Sequence, residues 1–284
     1  MPPHQSSKPD FSRILTPDLY TEVLRLHFPW KEPANIKDAV KFYFLHQPDN
    51  VQERFDAIHF RATKPISSVR PEIPSLWKYL PGFGDSHFPE HALALVCLLD
   101  QMPRSLYHRG VDSRYIPMFF DEACKKVVKH LVAEGVYPDL TEVWKKRRYT
   151  FEDAMLRKLW LYAPLAHSED LSDHGLVGPK RVDEERGEGP PMAGSAADLL
   201  FWIYRVLDAH TPILKEYGRY PYHNESVGRE STPREKEYLK ATHNLGAAGL
   251  SEAEAEKLRK EVRNGVWEDL SDEFLRMDML KSGD

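Results

Sequence analysis

The segment HALALVCLLDQ, from His91 to Gln101, decides the fold. Its stretch ALALVCLL places apolar side chains on every face of a helix, and this pattern is typical of a helix that other elements bury on all sides. Pro103 lies just beyond the segment and ends or kinks the helix. We therefore expect a central buried helix around which the remaining elements pack.

Helical spacing of apolar residues continues on both sides of this segment, and no strand alternation is bounded by hairpin turns. Cap residues precede several predicted helices: Thr16 before Pro17, Thr150, Ser231 or Thr232 before Pro233, and Ser251 with Glu254. The predicted helices cover roughly 16–28, 36–45, 51–60, 91–101, 115–134, 150–163, 195–217 and 267–280. The helix at 195–217 is expected to be kinked or split at Pro212. Two more helices are expected to start near 231 and 251. The sequence thus predicts an all-α fold, a helical bundle or a superhelix of helix pairs.

We expect one all-α domain over residues 16–284, preceded by a disordered leader at 1–15 that lacks the apolar core of a signal peptide. Prolines and glycines between Arg61 and Phe88 predict an irregular connection with at most a short helical turn near 76–80. The charged string RVDEERGEG, followed by PPMAG, predicts a mobile loop at 179–194.

Composition limits the function classes. No run of about eighteen apolar residues occurs, which argues against a membrane span. The 39 basic and 44 acidic side chains give a net charge of -5, and this balance argues against a nucleic-acid partner. Cys97 and Cys124 both lie in apolar-periodic segments, so we expect no disulfide framework and a cytoplasmic location.

Three polar segments stand directly beside apolar helix stretches, where unpaired charge is costly. The first, LLDQMPRSLYH, contains Asp100, Gln101 and Arg104. Asp100 and Arg104 are four residues apart and can pair on one helix face, unless a helix break at Pro103 redirects Arg104.

The second segment, WLYAPLAHSEDLSDH, delivers His167, Ser168, Glu169 and Asp170 after a helix that halts at Pro164. If Ser168 or Asp170 caps the next helix, its free amides favour an anion nearby, and His167 and Glu169 can exchange protons. The other interpretation is structural, with a simple N-cap and a hydrogen-bonded junction histidine. The residues alone leave both interpretations open.

The third segment begins at His210 and runs HTPILKEYGRYPYHNESVGRESTPREKEYL. Such a long polar and aromatic connection is either part of a binding site or a structural loop pinned by arginines. Arg219 and Arg229 suit carboxylates or phosphates. Their partners could equally be Asp100, Glu169 or Asp170 within the fold. The other candidates for ligand contacts in this segment are Tyr222, His223 and Asn224.

Familiar catalytic and cofactor motifs are missing from the sequence. It contains no GxGxxG after a strand, no Walker loop, no GxSxG elbow, no HExxH and no paired CxxC. A metal site could be assembled from His167, Glu169, Asp170 and His210, but their spacing matches no strong ligand pattern. We therefore expect neither a metal nor another cofactor.

At these three segments the sequence resembles a bacterial and fungal family known as domain of unknown function 924. Its members carry blocks like LLDQFPRN, LPLEHSEDL and FGRFPHRN followed by RxSTxxE, where this chain has LLDQMPRS, APLAHSEDL and YGRYPYHN with GRESTPREKEYL. The resemblance spans roughly residues 90 to 240. It implies an all-helical fold similar to tetratricopeptide-like superhelices, although no repeat of about 34 residues is visible, and it implies no activity.

Most block residues match the family positions: Asp100, Gln101, Arg104, His167, Ser168, Glu169, Asp170, His210, Arg219, Pro221, Asn224, Arg229 and Thr232. The departures are Ser105 for Asn, His108 for Arg, Tyr222 for His and His223 for Arg. If the family residues at these positions do chemistry, this chain has altered or lost it, which would suit a substrate of a specialised, secondary-metabolite pathway. If they only pin the loop, the substitutions indicate little.

The leading hypothesis is a cofactor-independent enzyme that applies acid/base chemistry to a small polar or anionic metabolite, as a hydrolase, hydro-lyase or isomerase. His167 and Glu169 would transfer protons, Asp100 would orient or share them, and His210 is a further catalytic candidate. Substrate contacts are expected from Gln101, Arg104, Asp170, Arg219, Tyr222, His223, Asn224 and Arg229. One alternative is a non-catalytic helical-repeat module that binds a peptide or protein, and another is a metal-dependent enzyme.

Overall fold

The computed structural model describes residues 9–30, 39, 42, 51–176 and 209–271. Within these ranges every regular element is helical and no strand occurs, which confirms the all-α prediction. The α-helices are α1 (Pro17–His27), α2 (Val51–Ile58), α3 (Lys64–Ser67), α4 (Phe88–Val96), α5 (Met102–Tyr107), α6 (Asp121–Ala133), α7 (Thr141–Lys145), α8 (Phe151–Ala166), α9 (Leu171–Leu176), α10 (His210–Tyr217), α11 (Pro233–Ala241) and α12 (Glu252–Arg263). The tetratricopeptide-like superhelix stays a prediction.

The predicted central helix lies at the heart of the core. It begins as α4, passes through a wide π-helical turn at Cys97–Gln101 and continues as α5. Residues 92–99 are all fully buried, as their continuous apolar run requires. Helices α1, α6 and α8 pack around it. The polar residues that follow the apolar run are thereby held inside the fold and need partners there.

Two π-helical turns each lie just before a proline, and in both places the helical path continues. A π-helical turn at His59–Thr63 precedes Pro65, and the turn at Cys97–Gln101 precedes Pro103. Proline lacks an N–H and its ring crowds the carbonyl four residues back, so a widened turn lets the helix axis continue. The open question about Pro103 is thus answered, because the helix continues as far as Tyr107.

Two predicted helix ends are wrong. The irregular connection expected from Arg61 begins only after Ser67, although the short helical turn at 76–79 is present. Helix α8 does not halt at Pro164 but runs through it to Ala166. Burial of this turn against the core compensates for the hydrogen bond that Pro164 cannot donate. The polar residues of the second segment therefore begin directly at the helix end.

Both ends of the described chain also differ from the expectation. Phe11 and Leu15, which the sequence assigns to a disordered leader, are buried, and the Phe11 N–H donates to the Tyr79 hydroxyl over 3.0 Å. At the other end, residues 267–271 are not helical, yet Leu270 is buried. Apolar burial holds both segments on the core.

Several predictions lie outside the described residues: positions 1–8 of the leader, most of the helix at 36–45, the loop at 179–194, positions 195–208 of the next helix and positions 272–280 of the last one. Of the helix at 195–217, the structure describes α10, which carries Pro212 in its first turn. No helix of the described ranges is both long and apolar enough to cross a membrane. Cys97 and Cys124 are free and buried.

The predicted N-caps are present. The Thr150 hydroxyl accepts from the Asp153 N–H over 3.2 Å at the start of α8. Thr232, rather than Ser231, caps α11 in a reciprocal capping box with Glu235, and Ser251 caps α12 in the same way. These bonds satisfy amide groups that a helix start leaves without partners, so the cap signals in the sequence locate these starts correctly.

Candidate functional site

The end of α8 brings His167 against Asp100, which lies in the π-helical turn of the central helix. Nδ1 of His167 is 2.9 Å from Oδ1 of Asp100, and the Asp100 carboxylate is fully buried. A carboxylate oxygen accepts a hydrogen bond, so Nδ1 carries the proton and Nε2 of the neutral ring is the acceptor. The His167 side chain is 19% exposed.

The charge of Asp100 is balanced within the same segment. Burial raises the pKa of Asp100, but the nearby Arg104 guanidinium and the bond from His167 outweigh it and hold that pKa below its ordinary value. Gln101 donates its side-chain amide to the same carboxylate. Nη1 of Arg104 lies 3.3 Å from Oδ1 of Asp100, so the pair predicted from their spacing is confirmed.

Arg104 has a second partner that the sequence did not suggest. Its two terminal nitrogens bind both oxygens of Asp121 over 2.8 and 3.0 Å. Asp121 is the first residue of α6 and belongs to none of the three polar segments. No local pattern in the sequence indicates this contact, because it depends on how α6 packs against the central helix and its π-helical turn at Cys97–Gln101.

Glu169 connects the second polar segment to the third. Its carboxylate accepts two hydrogen bonds from Arg229, over 2.7 and 2.8 Å, and one from the Tyr220 N–H over 3.1 Å. Burial raises the pKa of Glu169, but the bonds from Arg229 and His223 outweigh it and place that pKa well below its ordinary range. Glu169 is therefore an ionised anchor for the loop.

The predicted proton-transfer pair of His167 and Glu169 does not form a hydrogen bond in the structure. His167 binds Asp100, whereas Glu169 binds Arg229. His167 directly follows the last residue of α8, whereas Glu169 lies two residues further along the connection to α9, and the two side chains meet different neighbours. Asp170 caps α9 by accepting the Ser172 N–H over 2.8 Å, as one interpretation of this segment requires.

Arg219 and Asn224 have structural partners. Arg219 donates two hydrogen bonds to Glu235, over 2.7 and 2.8 Å, and one to the Glu230 carbonyl over 3.2 Å. Asn224 is fully buried and donates to the Ser231 hydroxyl over 3.1 Å. Neither residue lines the two cavities described below. In this loop the arginine fastens the start of α11.

The Arg219–Glu235 pair makes a prediction about pH. The bonds from Arg219 and from the Thr232 cap lower the pKa of Glu235 from 4.5 to about 2 against the effect of burial. A lowered carboxyl pKa stabilises the fold above pH 4.5, and that contribution disappears as the pH falls toward about 2. We expect Glu235→Gln to lower the free energy of unfolding near neutral pH by about 1.5–3 kcal/mol. Urea titrations across this pH range should show the difference shrinking below pH 4.5.

The control for this prediction is Glu237→Gln, an exposed residue on the same helix. It should leave the free energy of unfolding unchanged at every pH. A Glu235→Gln deficit that is as large near pH 2 as at neutral pH would contradict the assignment.

Two cavities open around these residues. We call the first the acidic chamber; its volume is about 650 Å³. The charged residues that line it, among those the structure describes, are Asp121, Glu122, Lys125, Glu169, Asp170 and Arg229. Carboxylates thus outnumber cations by two on its walls, if histidine is counted as neutral.

The second cavity, which we call the apolar chamber, has a volume of about 610 Å³. Its apolar and aromatic lining includes Ile116, Ile213, Tyr222, Tyr238 and Leu245. Pro117, His167 and His223 line both chambers. The His167–Asp100 pair therefore stands where the two chambers meet.

Four aromatic rings pack in succession, namely those of His167, His210, Tyr220 and Tyr222. The His167 and His210 rings are 6.0 Å apart, and His210 meets Tyr220 edge-on at 5.5 Å. Tyr220 stacks on Tyr222 with ring centroids 5.1 Å apart and donates its hydroxyl to the Ala166 carbonyl over 2.5 Å. Tyr220 belongs to the third polar segment but was not among the predicted site residues; a buried tyrosine next to Arg219 gave no functional signal.

Three of the four departures from the family blocks line the apolar chamber, namely His108, Tyr222 and His223. Burial lowers the pKa of both His108 and His223, because it disfavours the charged imidazolium. Burial thus favours the neutral form of both rings. His223 places Nδ1 3.4 Å from Glu169, at the boundary of the two chambers.

The four residues considered as metal ligands are His167, Glu169, Asp170 and His210, and three of them have different partners in the structure. His167 and Glu169 have the partners given above, and Asp170 caps a helix. In the described part of the chain, no group of three or more His, Cys, Asp or Glu side chains is arranged to hold a metal ion. The metal-dependent alternative has no support from this arrangement.

The fold and the site define an all-α protein with a His–Asp pair at the junction of two cavities. A family model described as a bacterial protein of unknown function, DUF924, matches residues 37–243, and the chain belongs to this family, as its three blocks indicate. Among solved structures it is similar to a protein of unknown function from Agrobacterium tumefaciens, with 20% identity over 79% of this chain and 98% of that chain and a TM-score of 0.47. No curated protein matches the sequence.

Proposed function

We propose that this protein is an enzyme that acts on a small polar molecule by acid/base chemistry at His167. The observation that carries the proposal is the 2.9 Å contact between His167 and the fully buried Asp100, placed where two cavities meet. A histidine whose Nδ1–H is held by a carboxylate presents Nε2 in one orientation as a proton acceptor. Hydrolysis, hydration or dehydration, and isomerisation all use such a base.

The roles of the neighbouring groups follow from their contacts. Nε2 of His167 takes a proton from substrate or water, and the Asp100 carboxylate stabilises the imidazolium that forms. Arg104 keeps Asp100 ionised and is itself held by Asp121. Glu169 is unsuited as a second base, because Arg229 occupies both its oxygens. His167 combines a ring held by a buried carboxylate at 2.9 Å with a place in the lining of both chambers.

A second candidate function is the interaction module, which one observation favours. The arginines of the three polar segments are each paired with a carboxylate of this chain: Arg104 with Asp121, Arg219 with Glu235, Arg229 with Glu169 and Arg234 with Glu216. An internal ion-pair network of this kind supports a scaffold interpretation. It does not account for the two chambers at His167, so we place the enzyme first.

The experiment compares the purified protein with its His167→Gln variant on a small-molecule extract of cells, followed by mass spectrometry over time. We expect at least one compound that the wild-type protein consumes and that the variant consumes about 10²- to 10⁴-fold more slowly. His87→Gln is the control, since His87 is exposed and lies outside both chambers. Consumption at equal rates by wild type and His167→Gln, or of no compound at all, would refute the proposal.

A further inference from the structure

The two chambers differ in charge and polarity, and this difference specifies a class of ligand. We infer that the site binds an aromatic amine, with its ring in the apolar chamber, its ammonium group in the acidic chamber and the intervening atoms beside His167. The reaction at those atoms rests on the proposed function, whereas the binding preference rests on the chamber walls alone.

The acidic chamber favours a cation. Its walls carry two more carboxylates than cations, and Asp170 has no ion-pair partner among the described residues. Arg104 lies between Asp100 and Asp121 and lines the apolar chamber, and counting Asp100 and Arg104 together leaves the excess of two carboxylates unchanged. A protonated amine entering this chamber therefore meets a negative potential that a carboxylate or phosphate would oppose.

The terminal nitrogens of the arginines near the chambers are already bonded to carboxylates of this chain. Both terminal nitrogens of Arg229 are bonded to Glu169, and both terminal nitrogens of Arg104 are bonded to Asp121. Nε of Arg229 is buried, so an anionic ligand would have to displace a bidentate carboxylate of the protein before it could bind the terminal nitrogens of either guanidinium. The anionic substrate considered from the sequence alone is therefore the less suitable one.

The apolar chamber favours a flat ring. Tyr222 stacks on Tyr220 at an interplanar angle of 11°. Gly246 lies against the Tyr222 ring with a backbone φ of +81°, and a Cβ added there would come within 3.3 Å of that ring. Among the described residues that line this chamber, Arg104 is the one that always carries a charge. Its walls can therefore accept an aromatic group with little polar desolvation.

The test measures binding of three probes that share a phenyl ring and differ in charge: phenethylamine, 2-phenylethanol and 3-phenylpropionate. Dissociation constants come from ligand-observed NMR and calorimetry with the full-length protein and with His167→Gln. We expect phenethylamine to bind about tenfold more tightly than 3-phenylpropionate at low salt, with 2-phenylethanol between them. The preference should weaken as the salt concentration rises.

Two variants, Ala209→Trp and Asp170→Asn, test the contribution of each chamber to binding separately. Ala209 is exposed and lines the apolar chamber, so Ala209→Trp fills it without disturbing the core. We expect all three probes to bind about tenfold more weakly to this variant. Ala241→Trp, at an exposed alanine that lines neither chamber, is the matched control and should change nothing. Asp170→Asn keeps a helix-capping side chain and should reduce only the preference for the amine.

The outcomes are distinct. Equal or tighter binding of 3-phenylpropionate, unchanged binding to Ala209→Trp, or no binding of any probe at millimolar concentration would overturn the inference. Normal binding of phenethylamine to both wild type and His167→Gln, combined with no turnover of any compound by wild type, would leave this inference intact and refute the acid/base proposal.

Discussion

Replacing Asp100 with alanine is expected to lower the free energy of unfolding by about 3–5 kcal/mol. Asp100 is fully buried and accepts hydrogen bonds from His167 and Gln101, while Arg104 lies 3.3 Å away. The substitution leaves these hydrogen-bond donors without their acceptor inside the core. Buried donors without a partner lower the stability of the folded state. Urea denaturation followed by circular dichroism measures the loss.

The control for this substitution is Asp18→Ala. Asp18 is exposed in the first turn of α1, where a carboxylate contributes only a fraction of a kcal/mol through the helix dipole, about 0.3–1 kcal/mol. A loss for Asp100→Ala no larger than the loss for Asp18→Ala would show that the buried network is not needed for stability. The same measurement on Glu169→Ala should fall between them, since its side chain is 31% exposed.

The second large effect is expected for Asp100→Asn in the reaction that wild type catalyses. The variant preserves the volume of the side chain but removes its charge, so the imidazolium formed at His167 loses its counter-ion. We expect the rate to fall about 10²- to 10⁴-fold. Because the charged ring is then less favourable, the acidic limb of the rate–pH profile should also move to lower pH.

This pH readout separates orientation by Asp100 from simple support of the fold. A variant that is only partly unfolded would lose activity in proportion to its folded fraction and keep the shape of the profile. An unchanged profile with a reduced rate would therefore assign Asp100 a structural role. Measuring the folded fraction by circular dichroism at each pH provides the control.

Much of the helical framework could be predicted from the sequence. The run at 92–99 identified the central helix, and Thr16, Thr150, Thr232 and Ser251 marked helix starts correctly. These signals are local, because a cap or an apolar periodicity involves residues within one or two turns of each other. Two of the failures, at 61–67 and at Pro164, occurred where a proline argued for a helix end. There the packing of the turn outweighed the preference of a single residue.

The candidate site was predictable only as a set of residues. Asp100, His167 and Arg229 were all identified from the polar segments, but in the structure His167 bonds to Asp100 and Glu169 bonds to Arg229. The pairing of Arg104 with Asp121 was missed. Side chains adjacent in sequence at a helix end point in different directions, and their partners come from elements dozens of positions away.

The sequence by itself determined that this chain folds as helices around one buried apolar segment. Apolar periodicity and helix capping depend only on residues within one or two turns of each other. The sequence also determined which charged groups would sit at the helix ends. Only the tertiary structure decided that Asp100 holds His167, that Arg229 holds Glu169, and that an acidic and an apolar chamber meet at His167. The physical reason is that a buried charge must find its partner in space, and packing of the helices determines which opposite charge lies within reach.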